Sequence, residues 1–231
     1  MRSAKSRGRL IGLLLLLQLV GLSVPFIISM PGTRSGFLEN AAPIAAQIRL
    51  AVLLLLANGA LTLGISLVAF PLIRKYSEVM ALCFVAMSVI WLSIQAIDNA
   101  HILSMLSLSQ RYAEGGGANA EQFSMLAQAA LSTRRYLHYT ELLVIDAWFF
   151  MFYFLLFRFS FVPRLLTGFG LAMVAVHLAA IPLPVFLDYQ GMPLLAFSLL
   201  ASHIALASWL VVKGMKERAP HFRAEQSAAL A

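Results

Sequence analysis

Six long apolar runs alternate with short polar breaks along the chain. They extend from Leu10 to Met30, Leu50 to Ile73, Val79 to Leu103, Leu137 to Phe157, Leu165 to Leu187 and Pro193 to Val212. Each is close to the roughly 20 residues that a helix needs to cross about 30 Å of hydrocarbon. No water is present there to satisfy backbone N–H and C=O groups, so a spanning segment must bond within itself and be α-helical. The pattern predicts an all-α chain: a six-helix transmembrane bundle forms a single domain over residues 1–213, and a polar cytoplasmic tail follows over 214–231.

The breaks refine this picture. "RKYSE" and "RFSFVPR" are short turns, and Pro163 suits the start of a helix, where a missing N–H costs nothing. The connection between the third and fourth runs is longer and reads "SMLSLSQRYAEGGGANAEQFSMLAQAALSTRRY". Helix formers continue up to Gly115, Gly116 and Gly117. Beyond them Asn119 is placed to cap a new helix, with Gln122 at the reciprocal position. Phe123, Leu126, Ala127, Ala130 and Leu131 then recur at helical spacing, and no proline intervenes before the fourth run. Helices 3 and 4 are therefore expected to extend outside the membrane as a hairpin with a glycine tip. Pro182 and Pro184 should end or kink the fifth helix. Ala201, Ala205 and Ser208 form a small-residue stripe suited to close helix approach. The tail, with Pro220, should be frayed.

Composition supports the membrane reading. The 231 residues are 61% hydrophobic and only 12% charged, too little polar surface for a water-soluble fold. The net charge of +7 does not indicate nucleic acid, because the basic residues gather at the ends of the apolar runs. With the N-terminus inside, Arg2, Lys5, Arg7, Arg9, Arg74, Lys75, Arg158, Arg164, Lys213, Lys216, Arg218 and Arg223 are cytoplasmic. Arg34, Arg49, Arg111, Arg134 and Arg135 are outside. Twelve against five places both termini in the cytoplasm. The basic start followed by a leucine run resembles a leader, but the run is of spanning length and no A-x-A site follows, so a retained first helix is expected. The lone Cys83 excludes an intramolecular disulfide or thiolate cluster and is expected to be a small buried apolar residue. There is no Walker loop, dinucleotide fingerprint, nucleophile elbow or H-E-x-x-H.

Three stretches carry a family resemblance: the basic start into "RLIGLL", the second run "RLAVLLLLANGALTLGISLVAFPLIRK", and "FFMFYFLLFRFSFVPRLLTGFGL". In the last, a helix ends in Arg, turns, and restarts at Pro-Arg-Leu-Leu. Together they resemble a bacterial multi-pass membrane family catalogued as domain of unknown function 4386, over most of residues 7 to 187. The resemblance implies a multi-pass architecture in the bacterial inner membrane and transfers no activity and no site.

The candidate chemistry lies in ionisable residues within the apolar runs. At about 1.5 Å per residue, Asp98, Asn99 and His101 fall in the outer third of the third helix, as do His138 and Glu141 in the fourth. Asp146, His177 and His203 fall near mid-depth, and Asn58 just outside the middle. Ionised groups in hydrocarbon cost at least roughly 2.5–3.5 kcal/mol each, so these residues should face protein or water and find partners. Asp98 and His101 are three apart, as are His138 and Glu141, and Arg134 precedes His138 by four. Asp98, His101, His138 and Glu141 are expected to share one outward-open cavity. Two carboxylate–histidine pairs could ligate zinc or iron, and facing histidines could hold a haem. They could instead relay protons, line a pocket for a small polar ligand, or fix helix register by hydrogen bonds. Asp146 is expected either to pair with a neighbouring helix or to be kept neutral. His177 and His203 fit core histidines better than ligands, and the aromatic run Trp148 to Phe157 fits packing. The reading favoured is an inner-membrane protein that binds or moves a small polar ligand. The alternatives are a metal- or haem-binding membrane protein and a structural or regulatory subunit. The lipid bilayer is the one partner specified; cofactor and oligomeric state are not.

Overall fold

The computed structural model describes residues 3–115, 119–181 and 198–217, and all regular structure there is helical. Helix α1 spans Ala4–Ser29 and leads through a 3-10 turn, Met30–Gly32, to the short α2, Phe37–Asn40. A second 3-10 turn, Ala42–Ile44, opens α3, Ala45–Ile73. Then come α4, Glu78–Glu114, α5, Ala120–Arg158, α6, Arg164–Ala180, and α7, Ser198–Lys213. Among the described residues α1, α3, α4 and α5 are long and apolar enough to cross a membrane, while α6 and α7 are shorter apolar helices. The expected ends at Leu187 and Pro193, the prolines Pro182 and Pro184, and the tip glycines Gly116 and Gly117 lie outside the described residues.

Only 28 to 44% of each long apolar window is buried within the chain, so most of its surface needs an apolar solvent. Ile27, Leu53 and Val79, between 63 and 70% exposed, lie on those long helices. Pro25 sits inside α1 and Pro71 inside α3.

Helices α4 and α5 have 37 and 39 residues, about 55 Å each at 1.5 Å per residue and well beyond a bilayer's need. The helix expected across residues 120 to 135 is present as the start of α5. Asn119 differs from a capping residue: its φ of 61° is left-handed, not the extended region an N-cap uses. Its carbonyl accepts the Phe123 N–H at 3.1 Å. The predicted apolar face is real, since Ala127 is buried with Phe37, Leu38 and Met105, and Phe123, Ala130 and Leu131 pack against them. Leu126 is turned off that face and is 56% exposed.

Two compact units divide the chain. Unit 2 is drawn from Leu17–Thr62 and Val89–Val144, and unit 1 from Met1–Leu16, Leu63–Ser88 and Ile145–Ala231. In unit 2, Ala41, Ile48, Val52 and Leu55 pack with Ile102 and Leu106. Helix α2 starts at Gly36, whose φ of 82° suits glycine. It is tied down by Ser109, which donates to the Leu38 carbonyl at 2.7 Å and accepts the Ala42 N–H at 2.9 Å.

In unit 1, Phe84, Trp148 and Phe152 stack with centroids 5.3 to 5.6 Å apart, and Trp148 Nε1 donates to Ser66 Oγ at 3.0 Å. The aromatic run thus serves packing, with Trp148, Phe152 and Tyr153 buried and Phe150 exposed. The small-residue expectation for α7 needs correcting: Ala201, Ala205 and Ser208 are exposed, and the buried face carries Ser202, His203, Leu206, Ala207 and Leu210. Close approach occurs at Gly12 of α1, where a Cβ would lie 2.7 Å from the Val211 N and 2.8 Å from the Ala207 O. Cys83 is also exposed rather than buried. The start of the tail is docked: Gly214, φ 72°, ends α7, and the Lys216 N–H donates to the Phe161 carbonyl at 2.9 Å.

Candidate functional site

In unit 2, α4 and α5 present their ionisable residues to one another. Asp98 Oδ1 lies 3.0 Å from Arg134 NH1, with the Asp98 side chain buried and that of Arg134 partly exposed, at 13%. The pair is an ion contact rather than an aligned hydrogen bond, since neither of those atoms has a hydrogen-bond partner. One turn further along α4, His101 Nε2 lies 2.9 Å from the Ala130 carbonyl. A carbonyl only accepts, so Nε2 carries the hydrogen. Along α5, His138 Nδ1 and Glu141 Oε2 are 3.5 Å apart, and the His138 ring stacks on Phe26 at 6.2 Å. Glu141, His138 and His101 all lie within electrostatic reach of Asp98.

The His138–Glu141 pair is as expected, whereas on α4 the nearest partners differ from the expected pairing. Asp98 turns to Arg134 rather than to His101, and His101 turns to backbone. Among the described residues no three His, Cys, Asp or Glu side chains gather closely enough to hold a metal ion.

A second group in unit 2 is uncharged. Asn58, Gln95 and Asn99 are 1 to 2% exposed, and neither polar atom of any of the three carboxamides has a hydrogen-bond partner. Glycines make room for two of them. A Cβ on Gly21 of α1 would lie 3.0 Å from Asn58 Oδ1, and the Gln95 amide reaches over Gly59 of α3. Beside them Gln18 Nε2 donates to Thr62 Oγ1, and the Thr62 hydroxyl donates to the Asn58 carbonyl at 3.3 Å. Asn99 follows Gln95 by four and so shares its side of α4. Asn99 and Asn58 stand out in the sequence by their depth in the apolar runs, whereas Gln95 and Gln18 do not. The available signal was the Gln95–Asn99 spacing, read together with "NG" at Asn58 and Gly59 inside an apolar run.

Unit 1 holds the remaining residues. The Asp146 carboxylate of α5 meets His177 Nδ1 of α6 at 2.7 Å in full burial, so Asp146 does pair with a neighbouring helix. Its Oδ1 has no partner. His203 of α7 is packed edge-on to Phe149 at 4.2 Å and has Nδ1 3.5 Å from the Tyr153 hydroxyl, while its Nε2 has no partner.

No curated protein and no solved structure matches this chain. The profile described as Domain of unknown function (DUF4386) matches residues 10–214, nearly the whole of the described structure. With apolar helices of spanning length over that same stretch, the chain belongs to the DUF4386 family.

Proposed function

We propose that this is a six-span protein of the bacterial inner membrane, both termini cytoplasmic, that binds or moves a small polar ligand in the polar interior of unit 2. The twelve-to-five division of basic residues supports the orientation. In that orientation the far ends of α4 and α5 form the external hairpin, and the Asp98–Arg134 contact faces the outer half of the membrane.

The observation that carries the ligand reading is the set of orphaned carboxamides at Asn58, Gln95 and Asn99. An unsatisfied buried donor or acceptor costs about 1–3 kcal/mol, and three amides carry three N–H₂ and three C=O groups. A core built only for stability would use apolar residues there. Water or a solute offering both donors and acceptors would satisfy them. The ligand class that fits is small and either neutral or zwitterionic, because Asp98 and Arg134 already offset each other's charge.

A second reading, polar groups that fix helix register, is supported by the Asp98–Arg134 contact and the His101–Ala130 bond. The two readings separate in one experiment. Unfolding temperatures of the purified protein are compared with those of Gln95→Leu and Asn99→Leu in acetamide, glycine and glycerol. A ligand site predicts that at least one solute stabilises the unsubstituted protein more than both variants. If the variants are the more stable proteins and no solute distinguishes them, the amides are structural and the ligand reading falls.

A further inference from the structure

We propose that the cleft at the α5–α6 turn in unit 1 binds a phosphate group, carried by the headgroup of an anionic phospholipid. This inference needs the chain to sit in a membrane but is independent of the polar interior of unit 2.

The cleft encloses about 300 Å³ and is lined by Ser160, Val162, Pro163, Arg164 and Lys216. Its two cations come from distant parts of the sequence, and specific backbone bonds bring them together. Helix α5 closes with the Phe161 N–H bonded to the Leu156 carbonyl at 3.1 Å and the Ser160 N–H to the Phe157 carbonyl at 3.2 Å. That is a Schellman arrangement, in which the left-handed position is usually glycine. Here it is Ser160, with φ 53°. At the other wall, left-handed Gly214 turns the chain out of α7, and the Lys216 N–H is bonded to the Phe161 carbonyl. The turn and the post-α7 segment are thus held as one surface, on which Ser160, Arg164 and Lys216 line the same space.

The cleft's two cations are among those of this unit that form no ion pair within the described residues. Arg74 is bridged to Glu78 and Lys75 to Glu217. Among the described residues neither Arg164 nor Lys216 has an acidic partner, and no carboxylate lines the cleft. Arg164 instead lies over the Phe157 ring at 5.7 Å, which holds its guanidinium in place and leaves its N–H fork available. An arginine fork with a lysine is a donor set suited to phosphate oxygens.

The apolar surroundings choose between a lipid and a free anion. Val162 and Pro163 form one wall, and the next residue, Leu165, is 88% exposed. A leucine that exposed, next in sequence to Arg164, offers an acyl-chain contact beside a headgroup contact. Basic pockets between membrane helices on the cytoplasmic side are used this way.

The test uses the full chain purified in detergent and examined by native mass spectrometry with phosphatidylglycerol, phosphatidylcholine or inorganic phosphate added. Phosphatidylglycerol should be retained one-to-one in preference to phosphatidylcholine. The double variant Arg164→Gln/Lys216→Gln should lose about tenfold or more of that retention, on the scale of two surface cations. Arg164→Lys/Lys216→Arg, which keeps both charges, should hold the lipid better than the Gln pair and reports on folding. Arg158→Gln, which removes a nearby cation outside the cleft, should retain it unchanged. Binding of inorganic phosphate without a preference for phosphatidylglycerol would keep the phosphate site but assign it to a soluble anion. Equal retention of both lipids, or equal loss in Arg158→Gln, would overturn the site.

Discussion

Arg134 on α5 reaches Asp98 on α4 at 3.0 Å, and this contact rather than either histidine offsets the buried carboxylate. Asp98 is buried and Arg134 mostly so, and removing one leaves the other uncompensated. Asp98→Asn or Arg134→Gln alone should each destabilise the protein by about 3 kcal/mol, and the double variant by about 4 kcal/mol rather than the sum. A double-mutant cycle on unfolding in mixed micelles would measure the coupling, expected at about 2 kcal/mol. Additive losses would mean the two charges act separately.

Two glycines on α6 make a paired test of its packing. A Cβ on Gly170 would run into the Tyr153 ring, whereas one on Gly168 meets nothing within 4 Å. Gly170→Ala should cost about 1–3 kcal/mol through overpacking. Gly168→Ala should be neutral or stabilising by up to about 1 kcal/mol, from helix propensity. Thermal unfolding of the two variants, two residues apart, reads this directly.

Ser109 joins two backbone groups around α2. Ser109→Ala leaves the Leu38 carbonyl and the Ala42 N–H without that hydroxyl. Loss of about 1–3 kcal/mol is expected, concentrated in residues 33–44. Faster proteolysis there, with unchanged cleavage elsewhere, would confirm a local effect.

The proposed orientation is tested by labelling in intact cells. In a Cys83→Ala background, a cysteine at Gly116 should react with an impermeant thiol reagent, and one at Ser77 should not. The reverse pattern would invert the topology and with it the assignment of the α4–α5 extension to the outside.

How much of this could be read from the chain varies by element. The long helices were legible because spanning length and apolar continuity leave the backbone one option. Their extension was legible because Phe123, Ala127, Ala130 and Leu131 keep helical spacing beyond the apolar run. Helix α2 was not, because Phe37 and Leu38 are two apolar residues in a polar break, and their burial depends on Met105 and Ala127 from elsewhere. The partner of Asp98 is Arg134, 36 residues away, whereas i,i+3 spacing favoured the nearer His101; Asp146 was expected to meet a neighbouring helix, but spacing did not name His177, 31 residues away. Gln95 was passed over because an uncharged amide raises no alarm in an apolar run, although burial without a partner is costly for it too.

Helices α4 and α5 contain neither glycine nor proline along 37 and 39 residues. Sharp kinks in helices arise mainly at those residues, so both helices lack a hinge. Within unit 2 the stretches of α4 and α5 that carry Asp98, His101, Ala130 and Arg134 therefore hold no built-in kink site, and the register set by those contacts continues along each stretch.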